Sequence, residues 1–222
     1  MTSVVKICGL STAATLDAAL EAGADMVGFV FFPKSPRHLD WGTARALGRQ
    51  AKGRAKIVAL SVDADDDALK RIIDSLSPDI LQLHGRETPS RVRQIRQRFG
   101  RPTMKAIGVA APGDLAAAST YDGVADFLLI DAKPPRDAVL PGGNGLAFDW
   151  RLARRFSPKT PWLLSGGLDS GNIAEAIASG GAFGVDVSSG VENAPGLKDE
   201  MKIRAFVAAA RGAFARAAEG VE

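Results

Sequence analysis

The stretch VVKICGL, Val4–Leu10, decides how the rest of the chain is read. It is short, rich in β-branched residues and halted by a glycine, the profile of a strand covered on both faces. Side chains alternate along a strand, so Val5 and Ile7 share one face while Lys6 and Cys8 share the other. Seven further runs of the same kind follow: MVGFVFF (26–32), AKIVALSV (55–62), DILQLH (79–84), TMKAIGV (103–109), DFLLID (126–131), PWLLSG (161–166) and FGVDVS (183–188). Between them lie segments such as TAATLDAALEAGA, DDALKRIIDSL, SRVRQIRQRFG, DLAAAST and NIAEAIASGG, and EMKIRAFVAAARGAFARAA closes the chain. Their apolar residues recur at three- and four-residue spacing. Ser11, Asp65 and Ser170 stand near the expected helix starts, and Gly23, Gly100 and Gly180 at the expected stops.

Alternating strands and helices with continuous apolar strands predict a parallel sheet covered by helices. Eight units in 222 residues give about 28 residues each, close to the compact end for a (β/α)8 TIM barrel. An open doubly wound sheet is the alternative, but no G-x-G-x-x-G follows the first strand and no G-x-x-x-x-G-K-[ST] occurs, which removes its nucleotide-binding versions. With no linker or composition break, residues 1–222 are expected to form a single barrel domain.

Composition narrows the function. Hydrophobic residues make up 46% of the chain and the net charge is +3 with both signs interspersed. The mild basic excess suits anionic small ligands, and with 6% aromatic residues no stacking platform for nucleic acid is present. One cysteine excludes an internal disulfide, and neither a signal sequence nor a membrane-length apolar run is seen. A cytoplasmic protein, monomer or homodimer, without nucleic-acid or membrane partners is expected.

If Lys6 and Cys8 face the barrel interior, the same alternation turns Gln82 and His84, Asp131, Ser165, and Asp186 and Ser188 inward on strands four, six, seven and eight. Cys8, His84, Asp131, Ser165 and Ser188 then reach the C-terminal rim, where barrels build active sites. Each has an ordinary reading too: a strand cysteine is usually a small buried hydrophobe, Asp131 can cap a turn, and Arg37 can be a solvated loop charge. A thiol and a carboxylate meeting at one rim is what favours acid–base chemistry. Two small-residue turns, LLSGGL (163–168) and DVSSGVE (186–192), end adjacent strands. Their N–H groups, with the N-terminus of a short helix expected around NAPGLKD, would cradle a phosphate. Lys6 and Asp186, inward on strands one and eight, are expected to pair, because an unpaired buried ammonium is costly.

The stretches KICGL, GADMVGFVFFPKSPRHL, LQLHG, LLIDAK, PGGNGLAFDW, LLSGGLDSGNIAEAI and GVDVSSGVENAPGLKD, in this order over Lys6 to Asp199, resemble the phosphoribosylanthranilate isomerase family of tryptophan biosynthesis. The resemblance implies an Amadori rearrangement of a phosphorylated small-molecule substrate, with Cys8 as general base, Asp131 as general acid, and neither metal nor organic cofactor. It implies that Arg37 meets the anthranilate carboxylate, that Gln82, His84, Gly143 and Asn144 are further substrate contacts, and that Gly166, Gly167, Ser188, Ser189 and Gly190 hold the phosphate. Asn144 departs from the Thr more common there, and the fused indole-glycerol-phosphate synthase domain of some relatives is not expected. The related isomerase of histidine biosynthesis would carry Asp in place of Cys8, and a non-catalytic barrel would need no facing thiol and carboxylate. The chemistry also asks that Cys8 ionise, with Lys6 a candidate for lowering its pKa, and that Asp131 hold a proton.

Overall fold

The computed structural model of the chain describes residues 3–135, 138, 140–143, 145 and 147–219. Eight parallel strands, β1 (Val4–Cys8), β2 (Met26–Phe31), β3 (Lys56–Ser61), β4 (Ile80–Leu83), β5 (Thr103–Val109), β6 (Phe127–Ala132), β7 (Trp162–Leu164) and β8 (Gly184–Val187), pair in chain order and close when β8 meets β1. The expected alternation holds. Val5, Ile7, Val27 and Phe29 join the core between barrel and helices, whereas Val4, Met26, Val58, Met104 and Leu163 fill the barrel's interior. Each large apolar side chain buried in these layers contributes about 1.5–3 kcal/mol. Cys8 packs with Val30 and Leu60 one level nearer the rim.

The helices are α1 (Ala13–Glu21), α2 (Trp41–Ala51), α3 (Asp66–Leu76), α4 (Pro89–Phe99), α5 (Pro112–Ser119), α6 (Ile173–Gly180) and α7 (Glu200–Glu219). Asp65 caps α3 by accepting from the Ala68 N–H at 2.8 Å, and Gly100 ends α4 in the left-handed region at φ 59°. Two end positions differ from expectation by one residue: Thr12 rather than Ser11 caps α1, and Gly181, at φ 66°, ends α6. At the start of α6, Asn172 occupies the cap position, two residues beyond Ser170.

Three local features depart from the sequence pattern. Helix α2 begins inside FPKSPRHLDWG, a stretch with no helical periodicity; it starts there because Asp40 accepts from the Gly42 and Thr43 N–H groups, and it buries mostly small residues, Ala44, Gly48 and Ala51, with Leu47. After β6 the described crossover contains only a 3-10 helix, Trp150–Arg155. The short helix expected around NAPGLKD is instead an antiparallel hairpin, β9 (Glu192–Ala194) and β10 (Leu197–Lys198). Pro195 and Gly196 form its turn; Gly196 has φ 83°, which breaks a helix, and a Cβ there would press on the Pro36 carbonyl. The helical segment near this rim is the single 3-10 turn Ser189–Val191.

Candidate active site

A pocket of about 770 Å³, its open mouth included, lies at the C-terminal rim, within the range of small-molecule sites. Cys8, Arg37, Gln82, His84, Asp131, Gly143, Gly166, Gly167, Ser188 and Ser189 all line it. Gly190 does not; it lies behind, with its Cα so close to the Leu168 carbonyl that a Cβ would collide. Its lack of a side chain lets the turns after β7 and β8 touch. Asn144 is outside the described residues. Among the described residues no three His, Cys, Asp or Glu side chains are grouped as a metal site, and no helix is long and apolar enough to cross a membrane.

Cys8 ends β1 opposite Gly28 of β2, where a Cβ would stand 2.9 Å from Sγ. Glycine there keeps room for the thiol. Two residues earlier on the same face, fully buried Lys6 bonds Asp186 Oδ1 at 2.8 Å, and the two are direct register partners on β1 and β8. The Ser165 hydroxyl donates to the other oxygen of Asp186 at 3.5 Å. Burial pulls the Lys6 ammonium down, but Asp186 and Cys8 outweigh it and its pKa stands above the ordinary lysine value. For Cys8 the balance runs the other way from the expected one. Burial pushes the thiol above its ordinary range; Lys6 and Lys198 pull it down, Asp186 pushes it up, and burial prevails. The thiol form is therefore favoured.

Across the pocket, Asp131 is the penultimate residue of β6. Its Oδ1 accepts from the Ala132 N–H at 2.8 Å, which leaves Oδ2 turned to His84 Nε2 at 3.5 Å. His84 Nδ1 is in turn 3.4 Å from Gln82 Nε2, so Gln82 of β4, His84 just past its end and Asp131 of β6 form one row. A Cβ at Gly142 would collide with Asp131 Oδ2 and the His84 ring; the loop after β6 thus covers the acid with bare backbone.

Arg37 is buried, not solvated. The loop after β2 doubles back so that Leu39 N–H reaches the Val30 carbonyl at 3.0 Å, and this return places Arg37 over the barrel mouth. Its Nε and Nη2 bond the two oxygens of Glu192 at 2.7 and 2.8 Å, a two-point clamp that fixes the plane of the guanidinium. Nη2 also donates to the Gly143 carbonyl at 3.2 Å. Nη1 has no hydrogen-bond partner among the described residues and lies against Gly143, where a Cβ would stand 2.9 Å away.

The two small-residue turns face each other. Gly166 and Gly167 have φ 90° and 66°, and a Cβ on Gly167 would stand 2.7 Å from the Ala147 backbone nitrogen. Among the described residues, nothing accepts a hydrogen bond from their N–H groups. Trp150 Nε1 and Asn172 Nδ2 donate to the Gly166 and Gly167 carbonyls at 3.3 and 2.9 Å, which fixes the peptide units that carry the Gly167 and Leu168 N–H groups. Glu192 and Lys198, which hold Arg37 and Ser188 from behind, were not legible as site residues: a Glu and a Lys in a loop carry no periodic signal. Gly28 and Gly142 were equally silent, since their role is the space they leave.

The family model described as N-(5'phosphoribosyl)anthranilate (PRA) isomerase matches residues 5–209. An N-(5'-phosphoribosyl)anthranilate isomerase of Nitrobacter hamburgensis is 60% identical over 213 residues, 96% of this chain and 95% of that one. The crystal structure of phosphoribosyl anthranilate isomerase from Thermotoga maritima superposes with a TM-score of 0.84 at 34% identity, covering 95% of this chain and 100% of that one. Another, in complex with reduced 1-(o-carboxyphenylamino)-1-deoxyribulose 5-phosphate, has a TM-score of 0.81 and 32% identity with the same coverage. Barrel, rim pocket and matched length together lead to one conclusion: the chain belongs to the N-(5'-phosphoribosyl)anthranilate isomerase family.

Proposed function

We propose that the protein converts N-(5'-phosphoribosyl)anthranilate into 1-(2-carboxyphenylamino)-1-deoxyribulose 5-phosphate in tryptophan biosynthesis, with Asp131 as general acid and Cys8 as general base. The observation that carries this reading is the facing pair itself: one buried thiol and one buried carboxyl, from β1 and β6, border one pocket, and the 32%-identical relative is a complex with reduced 1-(o-carboxyphenylamino)-1-deoxyribulose 5-phosphate.

In this reading Asp131 gives its proton to the ribose ring oxygen, and the C1–O bond breaks as the anthranilate nitrogen lends its electron pair, forming an iminium. Its positive charge acidifies the neighbouring carbon. Cys8, as thiolate, removes that carbon's proton; the electron pair forms the C1–C2 double bond and the iminium electrons return to nitrogen. The resulting enol tautomerises to the ketone. The nitrogen thus supplies the electron pair that opens the ring and takes it back when the carbon is deprotonated.

Arg37 meets the anthranilate carboxylate with the guanidinium edge that Glu192 leaves free. Gly166, Gly167, Ser188 and Ser189 hold the phosphate by main-chain N–H groups and hydroxyls, with Gly190 holding their turn together. The pocket's apolar wall, Val30, Phe32, Leu60 and Val62, suits the aromatic ring. Following the loss of anthranilate-type fluorescence on adding enzyme to freshly made N-(5'-phosphoribosyl)anthranilate tests the activity. A folded protein without turnover, unable to restore growth to a tryptophan auxotroph lacking this step, overturns it.

A further inference from the structure

The scheme above leaves Lys198, a buried ion beside the pocket, without a task. Lys198, on β10, has a side chain 1% exposed and stands outside the pocket lining. Its ammonium meets three acceptors: the Ser188 carbonyl at 2.9 Å, Ser188 Oγ at 3.1 Å and Glu192 Oε1 at 2.7 Å. A lysine has three hydrogens to donate, so all are engaged. Ser188 Oγ is thereby made an acceptor from behind, and its own hydrogen is left to point toward the pocket that Ser188 lines.

The third acceptor, Glu192, is the carboxylate that clamps Arg37. One ammonium thus touches the supports of both ends of the pocket. The β1–α1 turn is built around the same atoms: Gly9 has φ 80°, and a Cβ on it would lie 2.6 Å from Arg37 Cδ and 3.3 Å from both Lys198 Nζ and Ser188 Oγ. Burial pulls the Lys198 ammonium below its ordinary pKa, with Glu192 opposing. A buried pair held at this cost adds little to stability over an apolar replacement, which points to a role in arranging the site.

We propose that Lys198 is a positioning residue that sets both binding ends at once, orienting the Ser188 hydroxyl toward the phosphate and, through Glu192, the Arg37 guanidinium toward the anthranilate carboxylate. This rests on the assignment of those two ends under the proposed function.

The test compares wild type, Lys198→Met, Ser188→Ala and the double variant, with inorganic phosphate and anthranilate titrated separately by calorimetry and as inhibitors of turnover. Lys198→Met is expected to weaken each ligand about tenfold, the value of one well-placed hydrogen bond. KM should rise at least as much, and kcat should change less than KM. In the Ser188→Ala background, Lys198→Met should still weaken anthranilate but no longer phosphate.

Unchanged affinities in folded Lys198→Met, loss of only one of the two, or a fall in kcat at constant KM overturns the proposal. If Lys198→Met does not fold, Lys198→Gln, which keeps two donors, is measured in its place with smaller losses of both affinities expected; two unfolded variants make Lys198 a structural ion and also overturn it. Wild type that binds both ligands but does not turn over substrate counts against the proposed reaction alone, while the calorimetry still judges Lys198.

Discussion

Replacing Lys6 by Met removes one member of a buried ion pair inside the barrel while keeping most of the length and volume of the side chain. The ammonium is fully buried and the Asp186 side chain is 6% exposed, 2.8 Å away. In the variant, Asp186 keeps the Ser165 hydroxyl at 3.5 Å as its side-chain partner, too weak to offset a carboxylate buried without a counter-charge. Breaking such a pair costs about 3–5 kcal/mol, and in a chain of this size each kcal/mol moves the melting temperature by about 2–4 °C, so Tm should fall by about 6–20 °C. The wild-type ammonium pKa is raised above the ordinary lysine value. Its contribution is therefore fully present below the unfolded lysine pKa and lost only as pH climbs through the folded value; calorimetric melting at pH 7 to 8 sits on that plateau. The double variant Lys6→Met/Asp186→Leu removes the orphaned charge as well and should recover at least half of the lost Tm. A single variant melting within about 2 °C of wild type, against the shift expected for a buried pair, or a double variant no better than the single, refutes the reasoning.

Other expectations concern the chemistry. Cys8→Ala and Asp131→Asn should each lower kcat by about 10²–10⁴-fold with modest changes in KM; wild-type kcat in folded Cys8→Ala returns the thiol to core packing. Because burial raises the Cys8 pKa in the free enzyme and the thiolate is the acting base, kcat/KM should climb with pH through the neutral and mildly alkaline range, approaching unit slope on a logarithmic plot. A flat profile from about pH 7 to 9 contradicts this assignment. Gly167→Val places a β-branched residue at φ 66° and a Cβ 2.7 Å from the Ala147 backbone, so the turn must open; steady-state kinetics should show KM rising far more than kcat falls in a protein with wild-type far-UV circular dichroism, and an unchanged KM removes the phosphate from this turn.

Local patterning carried much of this molecule. Short apolar, β-rich runs located the eight strands, and two-residue alternation turned Lys6, Cys8, Gln82, Asp131 and Asp186 inward and paired Lys6 with Asp186, because strand geometry is periodic and barrel closure makes the first and last strands neighbours. Helix caps at Asp65 and Gly100 were legible for the same reason: their chemistry is satisfied within a few residues.

Three other features depended on the folded structure and not on local patterning. Arg37 meets Glu192 across 155 positions, and only the folded loops bring them together. NAPGLKD reads locally as a possible short helix, yet its Pro-Gly turn and the pull of Glu192 and Ser188 on Lys198 make it a hairpin. The ionisation of Cys8 was beyond local reading altogether: residue types name the charges near the thiol, but whether Lys6 or burial prevails depends on how much water the closed barrel excludes. Sequence determined which groups face the site; tertiary packing decided their partners and protonation, because periodicity is a property of neighbouring residues whereas electrostatic energy depends on distance and solvent in three dimensions.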